Sequence, residues 1–513
     1  MRAKLQIVFI SLSVGLGGFL FGLDTGIISG VMTYVIPKFD LTEMQAGWVV
    51  SSPSFAAMIS MLFSGRISDI IGRRKLLIII ALLYIVSAVF STIAFSYQML
   101  YFARMIGGFA FGAALVVGPI YIAEISIAEN RGKLVSLQQL NIVFGFFAAF
   151  LSNYFFNKYN TLDSVFLNDE NVWRWMLGIE FIPALLYFVL LFFVPKSPRW
   201  LYLKGEMSKA KEILVNFYGN ERGCIEIKSI EGNSTAYKKK SKLKIKDLFK
   251  PSLRFILIVG LIVGILQQIT GVNAVYFYAT SIFKETGIGT DAAFLSGILL
   301  STISVIFTFV AIYLIDRVGR RPLLLIGTAG VSISLLICAY GFNEATYQLT
   351  EKDVYQFKFL NSEKLITVVN KVYTNDVDFK NEMKTILGSN IFSKNDGAIL
   401  ETASKIDSTL ILIGILGFVA CFSFSLGPVM WVLLSELFPI KYRGLAIGTI
   451  AFVNSFISSV VQLIFPWELS NLGSSITFLI YGVFALLGLM FIFSKVPETK
   501  GMSLEELESI LVK

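Results

Sequence analysis

The sequence predicts an all-α membrane protein whose twelve transmembrane helices form two pseudo-symmetric six-helix bundles. Three observations predict it. Of 513 residues, 55% are hydrophobic and only 15% charged, whereas a soluble domain carries about a quarter charged residues. About twelve apolar runs reach or approach the ~20 residues that a helix needs to cross ~30 Å of hydrocarbon. Three short motifs from the first half of the chain also recur, in the same order, in the second half.

The runs begin near residues 7, 45, 75, 98, 134 and 173 in the first half and near 254, 290, 322, 408, 443 and 472 in the second. The first, IVFISLSVGLGGFLFGL, lacks a small-residue cleavage site and continues through an acidic residue into further apolar sequence, so it reads as a helix and not as a removable signal. Lys and Arg sit in alternate loops: Arg66, Arg73, Arg74 and Lys75, then Arg131 and Lys133, then Arg317, Arg320 and Arg321, then Lys441 and Arg443. With Arg2 and Lys4 at the start, this is the positive-inside pattern with both termini cytoplasmic. The net charge of +9 therefore reports topology and implies no nucleic-acid partner.

The repeat confirms the count. GRISDIIGRRK at 65–75 follows the second run, and LIDRVGRRP at 314–322 follows the eighth. Glu124 and Arg131 flank the turn after the fourth run as Glu436 and Arg443 flank that after the tenth. Val194-Pro195-Lys196-Ser197 closes the sixth run and Val496-Pro497-Glu498-Thr499 the twelfth. Arg74 and Glu124 are 50 positions apart but Arg321 and Glu436 are 115 apart, so the second half holds 65 extra residues. These match the polar stretch near 344–407, which the topology places outside as a cap or loop. The expected organisation is an N-terminal bundle over 1–196, a cytoplasmic helical linker over 197–252 and a C-terminal bundle over 253–513 carrying the insertion. In the linker, SPRWLYLKGEMSKAKEILVNFYG has helical periodicity and ends at a glycine, and KKKSKLKIKDLFK is strongly basic. An amphipathic bundle on the inner membrane face fits both, as does a solvated linker.

Several chemistries are excluded. Histidine is absent, which removes His-based triads, most zinc sites and histidine proton relays. The three cysteines, Cys224, Cys338 and Cys421, have no metal-ligand spacing and imply no disulfide framework. Neither a nucleophile–base pair nor a phosphate-binding glycine loop is visible, so no enzyme activity, cofactor or metal is expected.

Two parallel six-helix repeats are the plan of the major facilitator superfamily, in which the halves rock about a midplane site. The chain resembles the sugar porter family of that superfamily over some 480 residues. The matching strings are FGLDTGIISG, GRISDIIGRRK, Arg104 in YFARMIGG, PIYIAEISIAENRGKL, VPKSPRW, QQITGVNAVYFY, GPVMWVLLSELFP, YRGLAIG and VPETKG. The resemblance implies alternating-access transport of a monosaccharide, hexose or pentose.

Asp24, Arg104 and Glu180 are ionisable residues inside apolar runs. At ~1.5 Å of rise per residue they lie about 6, 9 and 10 Å below the outer face. A charge at the bilayer centre costs roughly 2.5–3.5 kcal/mol or more, so mutual pairing is expected, either as a fixed ion pair or as a switch. Burial favours a neutral carboxyl and a nearby Arg an ionised one, which suits a proton carrier. The resemblance adds that an aspartate at the position of Asp24 accompanies proton symport, with Arg104 and Glu180 as its companions. It further implies a cytoplasmic gating network of Asp69, Arg73, Glu124 and Arg131 with Arg320, Glu436 and Arg443; the plain alternative is topogenic charge. Lys196 departs from the family's usual glutamate, which puts a network through that position in doubt.

A sugar asks for groups that both donate and accept, and for a flat apolar face. Gln139, Gln267, Gln268, Asn273 and Asn454 supply amides in membrane runs and Trp431 a ring; all fall where the family binds sugar. The alternatives are interhelical glue for the amides and an interface anchor for the tryptophan. Adjacency turns Gln267 and Gln268 ~100° apart, so a single packing seam would not use both. Phe277 and Ser304 stand where relatives commonly have tyrosine and asparagine. The reading is a monosaccharide:proton symporter, monomeric, in a bacterial inner membrane, with sugar, proton and lipid as its partners. The alternatives are a facilitative uniporter and a transport-inactive sensor, the latter disfavoured by the dozen or so residues after Lys500.

Overall fold

In hydrocarbon a backbone can satisfy its hydrogen bonds only within itself, so each long apolar run closes into a helix. The computed structural model describes residues 2–160, 167–238, 245–356, 365–439, 442–500, 502 and 506. Within them, twelve segments are long and apolar enough to cross a membrane. In the first half these are α1 (Arg2–Phe39), α2 (Glu43–Ile71), α3 (Arg73–Thr92), α4 (Tyr97–Ile125), α5 (Ala128–Lys158) and the pair α6 (Val172–Gly178) and α7 (Phe181–Leu190). Two further helices, α8 (Pro198–Leu203) and α9 (Met207–Lys238), follow in the linker. Ser197 caps α8 by accepting from the Trp200 N–H at 3.2 Å. α9 is broken at Gly219 (φ 81°) and docks through the Tyr218 hydroxyl, which donates to the Ile125 carbonyl. The basic residues 239–244 lie outside the described residues.

The second half holds α10 (Pro251–Ile269), α11 (Val272–Phe277), α12 (Ala279–Glu285), α13 (Thr290–Val318) and α14 (Arg320–Asn343). After the insertion come α18 (Ser408–Phe424), α19 (Leu426–Leu437), α20 (Arg443–Asn471) and α21 (Gly473–Lys495). The insertion itself contains β1 (Thr346–Tyr347), α15 (Glu351–Gln356), α16 (Asp376–Leu387), α17 (Ser389–Ala403) and β2 (Ser404–Lys405). β1 and β2 pair antiparallel, Thr346 opposite Lys405. A core of its own, with Tyr347, Phe379, Met383, Phe392 and Leu400 buried, fills the insertion.

The helix starts follow the sequence reading closely, but three runs read as single helices are broken. The sixth is interrupted in its hydrogen bonding at Ile179 and Glu180, between α6 and α7, with both residues keeping right-handed helical dihedral angles. The tenth breaks at Ser425, whose φ −127° and ψ −95° are not helical. The seventh breaks at Gly271, which has φ 81° and caps α11. Only glycine takes that conformation freely, and a Cβ there would stand 2.6 Å from the Tyr481 ring. The breaks at Gly271 and Ser425 matter because each leaves unwound backbone beside the polar side chains of α10.

Within the first half, α1 and α5 pack backbone to backbone: a Cβ on Gly22 would lie 2.0 Å from the Ile142 carbonyl oxygen. Between the halves, the contacts concentrate towards the end that carries the insertion. Ser29 of α1 hydrogen-bonds Thr280 of α12 at 3.0 Å, Ser54 of α2 donates to Gln462 of α20 at 2.9 Å, and Asn157 at the end of α5 donates to Asp291 at the start of α13 at 2.7 Å.

Candidate transport site

The charged centre is assembled from α1, α4 and the α6–α7 break. Arg104 Nη1 donates to Asp24 Oδ1 at 2.9 Å and Nη2 to Oδ2 at 3.3 Å, a two-pronged pair. Its Nε donates to the Val49 carbonyl of α2 at 3.0 Å. The guanidinium is only 1% exposed and the Asp24 side chain 10%. Planar, forked and permanently charged, arginine suits a buried carboxylate partner as lysine does not. Glu180 is buried at the same level, near enough to interact electrostatically with both groups, but it forms no ion pair with Arg104. The structure thus places the three ionisable groups together as one Asp24–Arg104 pair with the Glu180 carboxyl beside it.

Four of the six sugar-site candidates form one hydrogen-bonded array. Gln268 Nε2 donates to Gln267 Oε1 and to Asn454 Oδ1, each at 3.2 Å. Asn454 Nδ2 donates to Gln267 Oε1 at 2.9 Å. Asn273 Nδ2 donates to Gln268 Oε1 at 2.8 Å and to Ser458 at 2.7 Å. The array continues from Ser458 to Gln462 and so to Ser54 of the other half. Gln267 also donates to the carbonyls of Leu426 and Gly427, at the break between α18 and α19. Adjacency therefore did not separate the two glutamines: Asn454 of α20 bonds both, and Gln267 also ties α10 to the start of α19.

The other two candidates stand apart. Gln139 is half-buried on α5, and Trp431 on α19 is 39% exposed; neither joins the amide array. Phe277 is buried in the core. Tyr276 donates to Ser304 at 2.8 Å, Ser304 meets Ser423 at 3.2 Å, and the Tyr276 ring stacks on Phe146 of the first half at 4.5 Å.

At the opposite end of the helices, near the linker, each half carries a charge cluster of the same design. Arg73 binds Asp69 at 2.6 Å and Glu124 at 2.8 Å, and Glu124 accepts from the Ser197 hydroxyl at 2.5 Å. Arg320 binds Asp316 at 3.1 Å and Glu436 at 2.8 Å, and Glu436 accepts from the Thr499 hydroxyl at 2.6 Å. Asp316, Ser197 and Thr499 escaped the sequence reading. Their signal was present in the repeated motifs, where Asp316 matches Asp69 and Thr499 matches Ser197. Arg443 does not pair with Glu436; its Nε donates to the Phe438 carbonyl at 3.2 Å. The side chain of Arg131 lies outside the described residues.

The clusters differ at one position. Glu498 accepts from the backbone N–H of Arg320 and of Arg321, both at 3.1 Å, and so caps α14. Lys196 holds the equivalent place before α3 and cannot accept, so α3 starts at Gly72 without a side-chain cap. Burial works against the Glu498 charge, but the backbone donors of Lys500, Arg320, Thr499 and Arg321 prevail and hold its carboxyl below the ordinary 4.5. Glu498→Ala is expected to destabilise the fold by about 0.5–2 kcal/mol, and Lys196→Glu to raise the thermal midpoint. Because the folded carboxyl is the stronger acid, the Glu498 contribution is complete above about pH 4.5 and vanishes as pH falls through its folded value. Melting curves of wild type and Glu498→Ala at pH 7 and below 4 check this: the gap between them should close in acid.

The sequence profile of a family described as "Sugar (and other) transporter" matches residues 10–360 and 385–511. The major myo-inositol transporter IolT of Bacillus subtilis is 33% identical over 497 residues, 96% of this chain and 91% of that protein. The arabinose–proton symporter of the same organism is 31% identical over 507 residues, 99% of this chain and 95% of that one. An inward-open structure of the xylose transporter XylE from E. coli superposes with a TM-score of 0.75 at 29% identity, covering 98% of this chain and 100% of XylE.

Proposed function

This chain belongs to the sugar porter family of the major facilitator superfamily: it is a multi-pass membrane protein that transports sugar and is no enzyme, and on that premise we propose that it moves a monosaccharide, hexose or pentose, together with a proton by alternating access. The observation that carries the proton is the buried Asp24–Arg104 pair, with Glu180 beside it. A carboxylate held between burial and a fixed cation is poised to change protonation when its helix moves, because either influence outweighs the other after a small shift. The name of the similar arabinose–proton symporter supports the same reading.

For the sugar, the array of Gln267, Gln268, Asn273 and Asn454 offers amides that donate and accept, set beside the unwound backbone at Gly271. Gln139 of the first half adds a further amide, and the exposed Trp431 ring supplies a face for the C–H surface of a pyranose. The Phe146–Tyr276 stack and the Tyr276–Ser304–Ser423 hydroxyls close one side with fewer free donors than a tyrosine and an asparagine would leave. The matching clusters around Arg73 and Arg320, with Arg443 at the following turn and Arg131 at its counterpart in the first half, serve as the gating network at the cytoplasmic ends. Each cluster ties the ends of several helices within its own half, so that the half moves as a block. The alternating basic loops support cytoplasmic termini, the bacterial relatives support a bacterial inner membrane, and the presence of both halves in a single chain supports a monomer.

The test is uptake of labelled glucose, galactose, xylose and arabinose into proteoliposomes, with and without an inward proton gradient. Gradient-driven accumulation of one sugar is expected. Equilibration without accumulation makes the protein a facilitator instead, and no uptake of any of the four removes the monosaccharide reading.

A further inference from the structure

The insertion is joined to the rest of the molecule by two kinds of charge. One kind is buried. Lys380 of α16 binds Glu285, the last residue of α12, at 2.5 Å and Asp376 at 3.0 Å, with all three side chains mostly shielded from water. Asp376 also accepts from the backbone N–H and the hydroxyl of Ser474 at the start of α21. Lys284, the buried neighbour of Glu285, binds Asp396 of α17 at 3.1 Å, and the Asp396 side chain is 34% exposed. Two consecutive residues at the end of α12 are thus held by two helices of the insertion. The other kind is half-exposed and crosses between the halves: Lys384 of α16 meets Glu43, the first residue of α2, at 3.5 Å. Alongside it, α17 packs against α1.

α12 is the outer continuation of the broken seventh span. Behind it, in α10 and α11, stand Gln267, Gln268 and Asn273, and its own Thr280 hydrogen-bonds Ser29 of α1. Whatever fixes the end of α12 therefore fixes the closed wall between the sugar array and the insertion side. The family profile has no counterpart for residues 361–384, the stretch that supplies Asp376, Lys380 and Lys384.

We propose that the insertion is a positioning element for the outer wall of the transport path: its buried charges mount it on α12 and α21, and the Lys384–Glu43 pair latches it to the first bundle in the outward-closed state. This rests on the alternating-access reading above. The division of labour follows from burial. Breaking one partner of a shielded pair strands a charge and is strongly unfavourable, so Lys380 stays with Glu285 and Asp376 throughout the cycle. A half-exposed pair at 3.5 Å is weaker and reached by salt, so Lys384 and Glu43 can part in every turnover.

The test compares wild type with Glu43→Gln, Lys384→Gln and the exchange Glu43→Lys/Lys384→Glu. Losing the latch enlarges the outward-open population, and the apparent affinity for external sugar rises in proportion. Each single change is expected to lower the half-saturating external concentration in intact cells by about two- to five-fold, and high salt should do the same to wild type alone. The charge exchange should restore the original value, which a merely structural role would not produce. A second readout needs no sugar: amide hydrogen exchange over residues 43–50 and 389–403 of the purified full-length chain should quicken in both single variants and recover in the exchange. Unchanged amide exchange in the single variants, or failure of the exchanged pair to restore it, overturns the latch. If wild type transports none of the sugars while amide exchange follows the expected pattern, the substrate reading falls and the latch stands.

Discussion

Asp24→Asn is expected to abolish concentrative uptake while leaving sugar exchange across the membrane intact. With one proton per sugar and a gradient of one pH unit, wild type can accumulate its substrate up to about tenfold, since a tenfold ratio corresponds to ~1.4 kcal/mol. The variant should stop at equal concentrations on both sides. Asparagine is the informative choice because it keeps the shape of Asp24 and an oxygen for Arg104 while losing the titratable group. Counterflow of labelled sugar, measured in the same vesicles, separates lost coupling from a lost fold. Accumulation that survives in Asp24→Asn makes Asp24 a structural partner of Arg104 and moves the proton to Glu180.

Arg104→Met is expected to be the most destabilising of the substitutions discussed. It removes three hydrogen bonds at once, two to Asp24 and one to the Val49 carbonyl, and leaves a carboxylate in apolar surroundings. Removing one partner of a buried pair typically costs about 3–5 kcal/mol. A large fall in the melting temperature of the detergent-purified protein should follow. The double variant Asp24→Asn/Arg104→Met removes both charges and should recover most of the loss. If the double variant is no more stable than Arg104→Met, the cost lies in packing around the arginine stem and not in the stranded charge.

The number of spans, their order and the position of the insertion were legible because each follows from local sequence: apolar length, alternating basic loops and repeated motifs. The Asp24–Arg104 pair was legible for a related reason, since charges inside apolar runs at matching depth have few other partners. The breaks at Gly271 and Ser425 were not. An apolar run reads as continuous whether or not one residue in it leaves helical geometry. The amide array was half legible: residue type marked Gln267, Gln268, Asn273 and Asn454, but only three-dimensional placement shows that they bond to one another while Gln139 and Trp431 do not. Asp316, Ser197 and Thr499 were available to a stricter comparison of the repeats. The contacts of Lys384 and Lys380 were out of reach, because residues 361–384 have no counterpart elsewhere in the chain from which a partner could be read.

The pairing of Thr346 with Lys405 brings the two ends of the insertion side by side, directly above α14 and α18, which already lie against each other. The insertion therefore enters and leaves the fold through a single narrow doorway. A chain lacking it could join the same two helices with a short turn, and one could gain it without moving either. Structurally it is a unit with a core of its own and a single point of chain entry, and a natural place to graft a reporter or a binding domain onto the transporter.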